Sequence, residues 1–142
     1  MAVRTAAAAW EGSVKEGHGT IYLGSGLFEA PYSFGSRFET GAGTNPEELV
    51  GAAAAGCFTM ALSLTLSELG HAPTRIDTTA RVSIAKTADG FRIPYVELRT
   101  DADVPGIDAE TFAREAEQAK TDCPVSRALA GTEIRLEAHL TS

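Results

Sequence analysis

The chain has 142 residues, 44% of them hydrophobic and 22% charged, with a formal net charge of −7. That length suits one domain with a substantial core, and the acidic balance argues against nucleic acid or an anionic membrane as partner, since both reward a basic surface. The first ten residues, Met1 to Trp10, are too weakly apolar for a signal peptide, and two cysteines without such a signal read as reduced thiols. The expected compartment is therefore the cytoplasm.

Taken in order, residues 2–12 read as a first strand and residues 20–23 as a short β-branched and aromatic one, with the glycines at 17 and 19 marking the turn between them. Residues 31–39 alternate Tyr32, Phe34 and Phe38 with small or polar side chains, which predicts a third strand. Three strands joined by tight turns predict an antiparallel meander with one face free to pack a helix.

That helix is the centre of the chain and is predicted over residues 46–69. Asn45 suits the cap, Pro46 the first turn, and Glu47 and Glu48 the positive end of the helix dipole. Gly70 supplies a left-handed terminator and Pro73 blocks a restart. Between Gly51 and Gly56 no side chain exceeds a methyl, so close approach of another backbone is expected to offset the cost of two interior glycines, about 1 kcal/mol each. From Phe58 to Leu69 few positions are polar, which predicts burial on most sides. Glu47, Glu48 and Glu68 argue against a membrane span.

Beyond the helix, Ile76, Thr78, Ala80, Val82 and Ile84 alternate with polar residues as a half-buried strand. Asp89-Gly90 suits a hairpin turn, and residues 91–102 are predicted to return as the partner strand, with Pro94 near an edge or bulge. Asp108 caps a helix over 109–120, a short helix follows Pro124 and ends at Gly131, and residues 132–141 form the last strand. The fold class is α+β: antiparallel sheets wrapped around a long central apolar helix, with residues 1–142 as one domain.

Chemistry rests on the two thiols. Cys57, inside an Ala- and Leu-rich helix, reads either as a small core residue or as a reactive thiol. Cys123 immediately precedes Pro124 at a helix start, where free N–H groups favour a thiolate. From these features alone, a redox pair and two inert thiols remain open alternatives. His18, His71 and His139 lack metal-ligand spacing, and no phosphate loop or dinucleotide fingerprint occurs, so no cofactor is expected.

The segments Gly-Thr-Asn-Pro-Glu-Glu-Leu (43–49), Ala-Gly-Cys-Phe-Thr-Met-Ala-Leu (55–62) and Cys-Pro-Val-Ser (123–126) resemble the OsmC/Ohr family of thiol peroxidases. Ser-Phe-Gly-Ser-Arg-Phe-Glu (33–39), Ile-Asp-Thr-Thr-Ala (76–80) and Val-Pro-Gly-Ile-Asp (104–108) place the likeness nearer the OsmC branch. The resemblance implies an intertwined homodimer that reduces organic hydroperoxides, and hydrogen peroxide less efficiently. It makes Cys57 the peroxidatic thiol and Cys123 the resolving one, and it matches Arg37 and Glu47 to the family's active-site arginine and glutamate. It also implies an external dithiol reductant, a lipoylated protein among the options.

Physical chemistry agrees with these roles. Burial should raise the Cys57 pKa, a nearby guanidinium would reverse that, and Glu47 would hold the Arg37 guanidinium in a bidentate contact. Phe34, Phe38, Phe58 and Met60 suit a hydrocarbon tail or, equally, a core. Glu47 and Cys57 are ten residues apart on one helix, about 15 Å along its axis. A partner helix crossing antiparallel near Ala52 would therefore bring Glu47 of one subunit to Cys57 of the other. The competing reading is a dimeric small-molecule-binding or stress-induced scaffold with inert cysteines.

Overall fold

The small and β-branched residues near the start of the chain do pair as strands. In the computed structural model, which describes residues 1–142, β1 (Ala6–Glu11), β2 (His18–Leu23) and β3 (Glu29–Tyr32) form an antiparallel sheet in the order β1-β2-β3. Gly19 lies opposite both Trp10 and Tyr32 in the register. A Cβ there would meet Tyr32 Cε1 at 2.5 Å and Trp10 Cε3 at 2.6 Å, so only glycine lets the two rings close to 5.2 Å edge to face.

The third strand is shorter than its alternation implies. It stops at Tyr32, and Phe34–Phe38 is instead a short helix, α1. The cause is local. Ser33 Oγ accepts from the Ser36 N–H at 3.1 Å while the Ser33 N–H donates to Ser36 Oγ at 2.8 Å, a reciprocal cap that a serine pair supplies as well as the more familiar Ser-Glu pair. Ser36 Oγ also donates to the Thr44 carbonyl at 2.7 Å, and Asn45 Nδ2 donates to the Ser36 carbonyl at 2.9 Å. These bonds fasten α1 to the residues that open the long helix α2 (Pro46–Glu68). Asn45 Oδ1 caps it, accepting from the Glu48 N–H at 2.7 Å.

The chain divides into two compact units, Met1–Leu49 and Val50–Ser142. In the second, α2 supplies the core. Ala54, Phe58, Leu62 and Leu66 recur every fourth residue and are buried in one cluster with Val96, Leu98, Ala102, Val104, Phe112, Ala116 and Ala119. The opposite face carries Ala52, Ala53, Gly56, Met60 and Leu64 and is exposed. Burial within this chain thus reaches one face of α2 and not most sides. Gly51 faces inward: a Cβ there would meet Val82 Cγ2 at 3.3 Å, so the close neighbour is a strand side chain. The helix ends as expected, with Gly70 at φ +86° and the His71 N–H donating to the Leu66 carbonyl at 2.9 Å.

The second sheet has the order β4 (Arg75–Val82), β7 (Tyr95–Asp103), β8 (Glu133–Leu140). Strand β4 runs antiparallel to β7, but β8 runs parallel to it, so this sheet is mixed rather than wholly antiparallel. Parallel neighbours need a long crossover, and α3 (Ala109–Asp122) with α4 (Pro124–Ala128) provides it. The expected return strand over 91–102 is interrupted at Ile93 and Pro94. Its first part, β6 (Gly90–Arg92), pairs only with β5 (Ala85–Thr87) in a separate hairpin, because proline cannot donate to a ladder.

Candidate active site

The four residues singled out by the sequence fall into two pairs, one in each unit. In Val50–Ser142 the pair is Cys57 and Cys123, both free thiols. Cys57 lies midway along α2 and is half-buried, whereas Cys123 is 1% exposed. Cys123 ends α3, its N–H donating to the Ala119 carbonyl at 3.1 Å, and it is also the cap residue of α4, with Pro124 in the first turn. That arrangement is the one the Cys-Pro spacing predicts. It turns the backbone so that the Val125 N–H donates to Cys57 Sγ at 3.5 Å, within reach for sulfur, while Cys123 Sγ lies 3.1 Å from Ser126 Oγ.

The electrostatics of Cys57 follow from this packing. Burial, the largest influence, raises its pKa above the ordinary value of 9.0; the Val125 N–H pulls it back, and the hydrogen bond and charge of Cys123 push it up again. The expected desolvation is therefore present.

In Met1–Leu49 the pair is Arg37 and Glu47. Arg37 sits in the last turn of α1, on a helix and not on the strand expected for it. Its Nε donates to Glu47 Oε1 at 3.0 Å. Glu47, in the first turn of α2, is only 6% exposed, and its Oε2 is buried with no hydrogen-bond partner. The contact is thus made through one nitrogen and one oxygen rather than as the bidentate fork. The Phe34 and Phe38 rings lie 5.0 Å apart, tilted by 47°, and the Arg37 guanidinium lies 5.3 Å from the Phe38 ring. Beside them opens a cavity of about 180 Å³ lined by Trp10, Val14, Tyr32, Ser33, Phe34, Arg37 and Phe38. Phe58, by contrast, is core, and Met60 is exposed.

Sequence reasoning missed Trp10, Tyr32 and Val14 as cavity walls and Ser126 as a partner of Cys123. The ring pair was signalled by Gly19 lying between two aromatic-bearing strands. Ser126 was signalled by its place three residues after a helix-capping cysteine.

Residues 39–138 match the family described as OsmC-like protein. The chain is 52% identical to peroxiredoxin OsmC of Escherichia coli strain K12 over 134 residues, 94% of this chain and 93% of that protein. The chain belongs to the OsmC family. It is also 36% identical to organic hydroperoxide resistance protein-like 2 of Staphylococcus epidermidis over 90 residues, 62% of this chain and 61% of the other. Its fold superposes on the organic hydroperoxide resistance protein OhrB of Bacillus subtilis with a TM-score of 0.72 at 26% identity, covering 96% of this OsmC-family chain and 98% of that one.

Proposed function

We propose that this OsmC-family chain is a cytoplasmic thiol peroxidase that reduces organic hydroperoxides, and hydrogen peroxide less efficiently, with Cys57 attacking and Cys123 resolving. The observation that carries the reading is the meeting of two free thiols, Cys57 and Cys123, across the turn that joins α3 to α4. The relatives' names, peroxiredoxin and organic hydroperoxide resistance protein, support the same activity.

In the first step the Cys57 thiolate attacks one peroxide oxygen. The O–O bond breaks, the alkoxide leaves as the alcohol by taking up the proton that Cys57 released on ionising, and Cys57 holds a sulfenic acid. In the second, Cys123 attacks the Cys57 sulfur. An S–S bond replaces the S–O bond, and water departs with the Cys123 proton. An external dithiol then reduces the disulfide by exchange, being oxidised itself; the family resemblance suggests a lipoylated protein. The aromatic cavity beside Arg37 suits a hydrocarbon tail.

The working unit in this reading is a homodimer. The exposed apolar face of α2, with Ala52, Ala53, Gly56, Met60 and Leu64, supports it, because such a face is costly in water. A symmetric antiparallel crossing there brings Arg37 and Glu47 of one subunit, already bonded to each other, to the thiols of its partner. The guanidinium then offsets the burial of Cys57 and stabilises its thiolate.

The test is oxidation by one equivalent of cumene hydroperoxide, read by mass spectrometry. Cys123→Ser should give one turnover and a sulfenic acid on Cys57; Cys57→Ser should give no turnover. A sulfenic acid on Cys123, or no peroxide-dependent change in the parent protein, overturns the assignment.

A further inference from the structure

The turn after α3 addresses the two sulfurs differently. The Val125 N–H points at Cys57 Sγ, whereas the Ser126 hydroxyl lies 3.1 Å from Cys123 Sγ. Cys123 caps α4 but its side chain makes no capping bond to the backbone, so its sulfur is left to Ser126. Ser126 itself is half-buried and sits in the first turn of α4, three residues on, where a helix places a side chain directly beside its cap. A hydroxyl rotates freely enough to accept from a thiol and to donate to a thiolate.

We infer that Ser126 is a positioning residue that sets the polarity of the Cys57–Cys123 disulfide, donating a hydrogen bond to Cys123 sulfur whenever that sulfur carries the negative charge. This rests on the reading of Cys57 as the attacking and Cys123 as the resolving thiol. Two moments in the cycle place charge on Cys123. When Cys123 attacks the Cys57 sulfenic acid, the S–S bond forms from its electron pair while the S–O bond breaks and hydroxide leaves as water with the proton Cys123 released. When a reductant thiolate attacks the disulfide, one sulfur must leave with the electron pair of the S–S bond, and exchange favours the better-stabilised leaving thiolate. With Ser126 donating to it, Cys123 leaves, takes up a proton, and the mixed disulfide forms on Cys57. The hydroxyl thereby selects which sulfur the reductant joins.

The experiment compares the parent with Ser126→Ala, Ser126→Thr and Ser126→Val, the last two differing only in the hydroxyl. After rapid mixing with cumene hydroperoxide, sulfenic acid and disulfide are followed by trapping at several pH values. The oxidised protein is then pulsed with 2-mercaptoethanol and its mixed disulfide mapped by mass spectrometry. Sulfenic acid on Cys57 should form at the parent's rate in every variant. Disulfide formation should slow about tenfold in the alanine and valine variants, the size of a hydrogen bond to a charged acceptor, with its pH profile moved upward; threonine should restore both. The mercaptoethanol adduct should lie on Cys57 in the parent and on both cysteines without the hydroxyl. Valine and threonine variants with equal resolution rates, equal pH profiles and the same adduct position would overturn the role of Ser126, even if alanine fails to fold. Absence of both Cys57 sulfenic acid and the Cys57–Cys123 disulfide in the parent after peroxide would instead overturn the peroxidase assignment beneath it.

Discussion

The thiol pair and the arginine–glutamate pair are built on opposite principles. Around Cys57 and Cys123 each sulfur has a partner: the Val125 N–H for one and the Ser126 hydroxyl for the other. Around Arg37 and Glu47 the bonding is incomplete, because one carboxylate oxygen is buried without a partner and the arginine side chain remains 38% exposed. Burying a carboxylate oxygen unpaired costs free energy that the fold has no structural reason to spend. On the proposed reading the thiol pair lacks a positive charge, and the second pair is a positive charge held by an unfinished bond. Each lacks what the other has. That complementarity is the strongest physical argument for joining them across a dimer.

The largest break of this comparison, after loss of Cys57 itself, is Arg37→Met. If the guanidinium supplies the missing charge, the variant should attack peroxide about a hundredfold more slowly, in line with losing one electrostatic stabiliser. Burial would then govern Cys57 alone. Since burial raises its pKa from 9.0, iodoacetamide alkylation of Cys57 should be slow at neutral pH and climb only in the alkaline range. Arg37→Lys should recover part of the rate, lacking the planar fork. An alkylation profile identical in Arg37→Met and parent would separate the two pairs.

Much of the fold around the candidate site is legible in the amino-acid sequence, and the parts that are not have specific causes. The long helix was legible because its ends carry strong local signals in Asn45, Pro46 and Gly70, and local signals need no tertiary knowledge. Cys123 was legible for the same reason, through Pro124. Arg37 was misplaced onto a strand because Tyr32, Phe34 and Phe38 alternate, and a serine–serine cap outweighs alternation only once the backbone has turned. The parallel pairing of β8 with β7 was hidden because strand direction depends on a crossover, not on the strand's own residues. The exposed face of α2 looked like core because apolar composition is the same whether the covering surface belongs to this chain or to another.

A subtler break distributes the two pairs between subunits. A heterodimer carrying Arg37→Met on one chain and Cys57→Ser on the other tests whether each site is shared. If the arginine acts in trans, one site combines the mutated groups of both chains and the other keeps an intact arginine with an intact thiol. Peroxidase activity should return to about half of the parent value, the fraction of intact sites expected for a two-fold dimer. If it acts in cis, no site is intact and the heterodimer stays near its parents. The measurement is turnover of cumene hydroperoxide with a dithiol after purification through two different tags.

The smallest effect expected is the stability change of Glu47→Gln, and its smallness is what makes it informative. Glutamine keeps an oxygen to accept from Arg37 Nε, the bond that measures 3.0 Å in the native protein. It loses the charge assistance of that bond, which weakens it. It also relieves the burial of a charged group with an unpartnered oxygen, which works the other way, although the new amide N–H group then needs an acceptor of its own. These terms oppose one another, so unfolding in urea should shift by no more than about 1 kcal/mol. If the proposed site is shared, activity should nevertheless fall clearly, because a neutral amide holds the guanidinium less firmly than the carboxylate does. A protein that loses activity and keeps its stability places Glu47 in the chemistry. A loss of about 3 kcal/mol or more, the size seen when a structural buried ion pair is broken, would make the pair a support of the fold and leave the thiols without their charge.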